Sequence, residues 1–406
     1  MRQGAVCAHR RIDVMGHEAS QRGVFRISAG HGHTGLNWTM AAIFGASIVV
    51  AMAAASQGER NPGLSTGKSI DDLPVPASGY QVYLLGEMHG IVQNERLFEQ
   101  YLIRLNRESG LRDVAIEEDP VYAPDARAYV EGRRETVPAP LCLRAGILEA
   151  VRRINQGREP DEMVRVHLVD IDTPAEAIRL HLESIRARIP AAVKVAIPGV
   201  DSVAKDGLET VDSFERLTKG PALRSELRTI RGSIEANRLG LEVGTGEPKG
   251  SPYLDAREDV IAADIRDIVA LEGARGVLAF YGSDHVSKSM RRDGGANRDR
   301  PFAPMALRLE QAGLKVFSLM TFPLTGRWAW RGRSQEMLWT PDEGRLESGE
   351  TLDKVANAAG AGALIYIDRT KQGVILPSTD LTNYRTEAVL LFSGAQPLPD
   401  RCSGLN

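Results

Sequence analysis

Glu87 and His89 stand two residues apart in Gly86-Glu87-Met88-His89-Gly90. A histidine beside a carboxylate is suited to moving a proton near neutral pH. Glycines on both sides fit a tight turn where backbone can approach a ligand closely. Glu117, Glu118 and Asp119 close a second apolar run, Asp170 and Asp172 a third, and Gly282-Ser283-Asp284-His285 follows another. The chemistry such a set supports is hydrolysis. His89 would take a proton from water, with Glu87 or Glu117 orienting and polarising it. Arg257 and His285 would stabilise the developing oxyanion. No G-x-S-x-G elbow is present, so direct attack by water fits better than an acyl-enzyme. Glu and His are also metal-ligand types, so a metal-dependent form of this chemistry stays open. The plain alternative is that polar residues follow strands because loops are wet, and Glu118, Asp119 and Asp284 are read that way.

Arg257 joins the set through helix periodicity. It lies four residues before Ile261 on a stripe that continues through Ile265 and Ile268, so it faces inward. Arginine is rarely buried unpaired. Asp264, near the same stripe, is a candidate partner, and a purely structural salt bridge is the competing reading. His167 alternates inside a strand and His181 lies between Ile178 and Ile185 on a helix. Both read as packed or surface residues.

The elements that must position these groups alternate in type. Strands are expected at Gln81–Leu85, Asp113–Ile116, Arg165–Ile171, Gly276–Tyr281, Lys315–Met320, Ala363–Asp368 and Ala388–Phe392. Helices are expected around 97–105, 141–155, 222–239, Leu254–Leu271 and Leu307–Ala312. A further helix carries Ile178, Leu182, Ile185 and Ile189. Thr173-Pro174-Ala175-Glu176 reads as its capping box, with Pro174 at the first helical position. Alternation of this kind predicts an α/β fold, a largely parallel sheet flanked by helices, with a helical insertion over about 191–250. In such sheets, sites form beyond the carboxyl ends of strands. The helix bearing Arg257 leads into the fourth strand, so its N-terminal end returns to that edge, where Glu87, His89, Glu117 and His285 also fall.

The chain has 406 residues, 43% hydrophobic and 25% charged, which excludes a disordered or fibrous protein. Fifty basic against 53 acidic residues leave no excess to neutralise phosphates, so no nucleic-acid partner is expected. Residues 1–56 combine a basic, His-containing leader with the apolar run Trp38–Ala55. They read as an export signal or, since the run is just long enough, a membrane anchor. Met15 or Met40 could be the true start. Periplasmic or cell-envelope placement follows, with membrane contact only through this segment. Residues 57–76, rich in Gly, Ser and Pro, read as a linker before a single α/β domain over 77–398. Loss of Cys7 on export would leave Cys142 and Cys402, which an oxidising compartment would allow to pair, though nothing in the sequence shows them close.

LLGEMHG at 84–90, VAIEE at 114–118, LVDID at 168–172, REDVIAADI at 257–265, VLAFYGSDHVSKS at 277–289 and KVFSLMTF at 315–322 resemble a known superfamily. It includes the erythromycin esterases, the ChaN-like haem-uptake proteins and the Tiki/TraB group. The match threads through about 75–325. It implies a ChaN/esterase-type α/β fold and gives Glu87, His89, Glu117, Arg257 and His285 as the family's site residues. Asp172 takes the acidic position after the third strand. The chain departs from the erythromycin esterases, which usually carry one more residue between Glu and His. Its Gly282-Ser283-Asp284-His285 is nearer the Tiki pattern, so macrolide specificity does not carry over.

The resemblance implies an exported hydrolase of an ester, lactone or amide bond in a small-molecule or peptide substrate. The Tiki likeness implies a metal form of it, in which His89, His285 and Glu117 would hold a divalent ion. The haem-uptake branch implies the alternative, a haem or small-ligand binding protein without turnover. Tyr122, Tyr129 or Tyr281 are then the candidate axial ligands.

Overall fold

The computed structural model describes residues 63–242, 251–271, 273–292, 301–330, 333–336, 344–346, 349–371, 374–375 and 385–403. The leader, the Trp38–Ala55 run and the Gly244–Gly250 stretch lie outside the described residues.

The core element is an eight-stranded sheet. In chain order its strands are β1 (Leu64–Gly67), β2 (Val82–Glu87), β3 (Asp113–Ile116), β4 (Arg165–Leu168), β5 (Val277–Gly282), β6 (Val316–Pro323), β7 (Leu364–Asp368) and β8 (Ala388–Phe392). Their spatial order is β1-β7-β8-β6-β2-β5-β3-β4. Every pairing from β8 to β4 is parallel, while β7 runs antiparallel to both its neighbours. The fold is therefore the expected α/β class with a largely parallel sheet.

Helices cover both faces, as a buried parallel sheet requires. They are α1 (Val92–Ser109), α2 (Ala123–Val130), α3 (Ala145–Asn155), α4 (Ala175–Arg188), α5 (Val203–Leu217), α6 (Pro221–Glu242), α7 (Ser251–Val269), α8 (Met305–Gln311) and α9 (Leu352–Ala359). Strand alternation divides the core. Tyr83 and Leu85 of β2, with Leu278 and Phe280 of β5, pack under Phe98, Leu102 and Leu148 of α1 and α3. Val82, Leu84, Ala279 and Tyr281 face the other way, under Ile261 and Ile265 of α7 and Leu309 of α8. Helices α5 and α6 of the helical insertion pack with α4 in a separate apolar cluster around Ile178, Leu182, Phe214 and Ile230.

Three local expectations change. The stretch read as a linker carries structure in its described part. β1 pairs with β7, and Ile70, Leu73 and Val75 are buried. Its apolar side chains outweigh its Gly and Pro content. Thr173 caps no helix, because α4 begins at Ala175 behind Pro174, and the Thr173 hydroxyl lies 3.4 Å from Asp119 Oδ1 instead. Cys142 and Cys402 are joined in a disulfide, with their Cα atoms 5.3 Å apart. A sequence separation of 260 residues gave no hint of that proximity. Among the described residues no helix is long and apolar enough to cross a membrane.

Candidate active site

The carboxyl ends of β2, β5, β3 and β4 lie side by side, and the expected residues converge there. Glu87 is the last residue of β2 and is 4% exposed. Its Oε1 lies 2.8 Å from His89 Nδ1 and accepts a 2.7 Å bond from Arg144 Nη1. Glu87 is thus an acceptor held by a guanidinium, so His89 Nδ1 is the donor of that pair. The other ring nitrogen, Nε2, turns toward Glu117 Oε2 at 3.6 Å. His89 keeps 29% side-chain exposure.

Glu117 follows β3 and is the hub. Its Oε2 accepts the backbone N–H of Gly282 at 2.7 Å. Its Oε1 receives Arg257 Nη2 at 2.8 Å and faces His285 Nε2 at 3.2 Å. Burial alone would raise the Glu117 pKa. The charges of His285 and His89, a hydrogen bond from His285 and the Arg257 charge outweigh it and hold the carboxyl well below the ordinary range. His89 and His285 therefore meet at one carboxylate.

His285 is 5% exposed. Its Nδ1 lies 2.6 Å from Glu258 Oε1, as a close ion contact rather than an aligned hydrogen bond. Burial opposes its charge, but Glu258 and Glu117 prevail and push its pKa up to about 10. His285 is an imidazolium throughout the neutral range. Arg257 opens onto the same edge from the first turns of α7, as the helix stripe implied. Its expected partner was wrong, however. Asp264 lies two turns further along and bonds Thr229 Oγ1 at 2.7 Å and Arg228 Nη2 at 2.8 Å. Arg257 instead forks onto Asp170, through Nε at 2.7 Å and Nη2 at 2.6 Å.

Several further residues belong to the site. Arg144, 4% exposed, ties Glu87 to Glu118 Oε1 at 3.1 Å and to the Glu117 carbonyl at 3.3 Å. Glu118 is therefore part of this network rather than a wet loop residue, and burial raises its pKa. Asp170 fixes Arg257, and Glu258 fixes His285 while accepting the Met305 N–H at 2.6 Å. The signal for Arg144 was present: with Leu141, Leu148 and Val151 it falls on one helical stripe, as Arg257 does on its own. Glu258, three residues before Ile261, satisfies the same test. Gly282 matters by lacking a side chain, since a Cβ there would stand 3.1 Å from His89 Nε2.

Other expectations resolve elsewhere. Asp172 turns away from the site and bonds His181 Nδ1 at 2.6 Å. Asp284 is exposed and pairs with Arg291 at 3.0 Å. His167 pairs with Asp113 at 2.9 Å. Two of the candidate haem tyrosines point into the core. The Tyr281 hydroxyl donates to the Val169 carbonyl, and Tyr129 lies under the Arg152 guanidinium at 4.7 Å. Tyr122 is half-buried against the same core. The trio His89, His285 and Glu117 does not fit a metal. Both Glu117 oxygens are engaged by Arg257, His285 and the Gly282 N–H, and two guanidinium groups stand where a cation would sit. Among the described residues no group of three or more His, Cys, Asp or Glu side chains is arranged to hold an ion.

About four-fifths of the chain superposes on solved structures of this fold. A mutant erythromycin esterase in its open conformation aligns with a TM-score of 0.58 at 13% identity, over 80% of this chain and 93% of that one. The chain has an erythromycin-esterase-like fold. A protein from Bacillus cereus aligns with a TM-score of 0.57 at 14% identity, covering 79% of this chain and 90% of its own. A succinoglycan biosynthesis protein aligns at 0.56 and 13%, covering 79% and 89%. At these identities the likeness is one of fold. No protein-family model and no curated protein matches the sequence.

Proposed function

We propose that this protein is a hydrolase that activates water at His89 and cleaves an ester, lactone or amide bond in a small-molecule or peptide substrate. One observation carries the reading. Of the two histidines at the Glu117 hub, His285 is buried, charged and boxed between two carboxylates, whereas His89 is partly open to solvent with Nε2 facing the site. His89 is the base. Glu87 fixes its Nδ1–H and so leaves Nε2 to accept the proton. His285 and Arg257 supply fixed positive charge for the oxyanion. Glu117 holds those cations in place rather than polarising water, because both its oxygens are taken.

The Cys142–Cys402 disulfide supports an exported, non-cytosolic setting for this activity. The test is a panel of ester, lactone and amide substrates assayed with purified protein and with His89→Asn. Turnover of one class, lost in the variant, is the expected result. Turnover that survives the substitution, or none across the panel, overturns the reading.

A further inference from the structure

The residues after β8 do not trail away from the site. They run back over the turn that carries His89. The Gln396 carbonyl accepts Val92 N–H at 2.9 Å, Gln396 N–H donates to Gln93 Oε1 at 2.9 Å, and Leu398 N–H donates to the Gly90 carbonyl at 3.0 Å. The same Gly90 carbonyl also accepts Ala329 N–H at 3.0 Å. Gly90 has a φ of +87°, and a Cβ on it would stand 2.3 Å from the Ala329 carbonyl oxygen, so the turn is clamped closely. Further on, Arg401 forks onto Glu95 at 2.7 and 3.1 Å, and Glu95 packs so tightly on Gly146 that a Cβ there would meet its carboxylate at 2.2 Å. Finally Cys402 is bonded to Cys142. Cys142 lies in the 3-10 turn Ala139–Arg144, two residues before the arginine that binds Glu87 and Glu118.

This tail therefore joins the two segments that set the His89–Glu87–Arg144 line. Its hydrogen bonds hold one, and its disulfide holds the other. None of the sheet strands depends on residues beyond Phe392 for pairing.

We propose that the Cys142–Cys402 disulfide is a redox clasp on the site, through which a dithiol reductant lowers activity by releasing the tail. The step is ordinary thiol–disulfide exchange. A reductant thiolate attacks the sulfur of Cys402, the less buried partner. A mixed disulfide forms and the Cys142 thiolate leaves. The second reductant thiol then resolves the mixed disulfide. Two electrons and two protons pass to the cysteines, and the dithiol becomes a disulfide. With the tail free, the Gly90–Val92 turn loses two of its bonds and Arg144 loses its nearest covalent anchor. His89 is then held less firmly against Glu87. The proposal rests on the hydrolase reading for its effect on rate, but not for its effect on structure.

The experiment compares oxidised full-length protein, the same protein reduced with dithiothreitol, and Cys402→Ser. Amide hydrogen exchange over residues 88–93 and 139–146 is measured beside kcat, KM and the pH profile of kcat/KM, with circular dichroism to show that the sheet is intact. Exchange in both segments should rise about tenfold or more on reduction. The kcat should fall about tenfold with KM little changed, the pH profile of kcat/KM should move, and reoxidation should restore all three. A second variant, Arg401→Gln, keeps the disulfide and should give a smaller change in the same two segments. Unchanged exchange in both segments overturns the clasp, and so does full kcat with an unmoved pH profile in the reduced protein. If the oxidised protein hydrolyses nothing, the hydrolase reading fails, and exchange alone decides the clasp.

Discussion

Among the described residues, His89, His181 and His285 each sit between two carboxylates, and the first two do opposite things. At the sheet edge His89 has one nitrogen fixed by Glu87 and the other turned toward the hub at a distance too long for a hydrogen bond. Beside the helical insertion His181 has both nitrogens taken, by Asp172 at 2.6 Å and Glu226 at 2.9 Å, and Arg188 closes the far side of Glu226 at 2.8 Å. His181 is 3% exposed. Burial opposes its charge, yet Asp172 and Glu226 push its pKa up to about 9. The residue types match, but only His89 combines access to solvent with a ring nitrogen facing the site, and so can carry a proton to a substrate. The other is an ion bridge that fastens the β4–α4 loop to α6.

The comparison is tested most severely by one substitution in each region. His89→Asn should lower kcat/KM by about two to four orders of magnitude and leave the melting temperature nearly unchanged. His181→Asn should do the reverse. It leaves Asp172 buried without its cation, at a cost of about 3–5 kcal/mol, and folded enzyme should turn over normally. The His181 bridge also carries a pH signature. Its folded pKa, about 9, lies above the ordinary 6.5, so its contribution is complete below 6.5 and is lost as pH rises through 9. Melts from pH 6 to 10 should show this decline in the parent and a shallower one in His181→Asn. Equal slopes would sink the assignment.

Arg144 belongs to both regimes. It is a buried cation under three glutamates, which raise its pKa against the pull of burial. Arg144→Met should cost about 3–5 kcal/mol in a thermal or denaturant melt, because Glu87 and Glu118 are left uncompensated. It should also lower kcat by releasing Glu87 from its anchor. Arg144→Lys should not restore activity, since one ammonium cannot span Glu87, Glu118 and the Glu117 carbonyl together. Recovery of kcat in the lysine variant would show that charge alone suffices.

The sequence was most informative where a periodicity had to hold. Strand alternation and the return of α7 to the carboxyl edge bring Glu87, His89, Glu117, Arg257 and His285 together from the pattern alone. Arg144 and Glu258 fall on inward-facing stripes just as Arg257 does, so the same periodicity marks them. What the pattern could not supply was pairing choice. Arg257 had acidic neighbours on its helix and beyond the sheet, and only three-dimensional packing selects Asp170 over Asp264. The disulfide is of the same kind, because no local rule relates positions 260 residues apart. The structured 64–75 segment was hidden for another reason: glycine and proline dominated a reading in which a few apolar residues decide burial.

Gly282→Ala asks how closely Nε2 of His89 is fitted. The added methyl would stand 3.1 Å from Nε2 and 3.5 Å from Glu117 Oε2, so the imidazole has to move by a few tenths of an ångström. Strand β5 is extended at this residue and Gly282 lies outside the left-handed region, so backbone strain adds nothing. The expected result is about a tenfold loss of kcat with a stability change under about 1 kcal/mol. An unchanged kcat would mean that the Nε2 position is not critical.

The smallest effect is expected at Asp119, on the rim between the two regions. Burial, then the charges of Asp172, Asp170 and Glu118, push its pKa up to about 7 from an ordinary 3.8. A carboxyl whose folded pKa is raised binds its proton more tightly in the folded state. Between about pH 4 and 7 the unfolded chain has given up this proton while the folded protein retains it. Stability from this group is therefore complete below 3.8 and falls as pH rises through 7. Asp119→Asn removes the titration while keeping an oxygen for the Thr173 N–H, which donates to Oδ1 at 3.3 Å. At pH 8 the variant should be more stable than the parent by on the order of 1–3 kcal/mol, and at pH 4 the two should nearly coincide. Because Asp119 contacts neither His89 nor His285, kcat should change less than about threefold. A variant less stable at pH 8 would show that Asp119 has a cationic partner and belongs with the ion bridges of the insertion rather than with the acidic rim of the site.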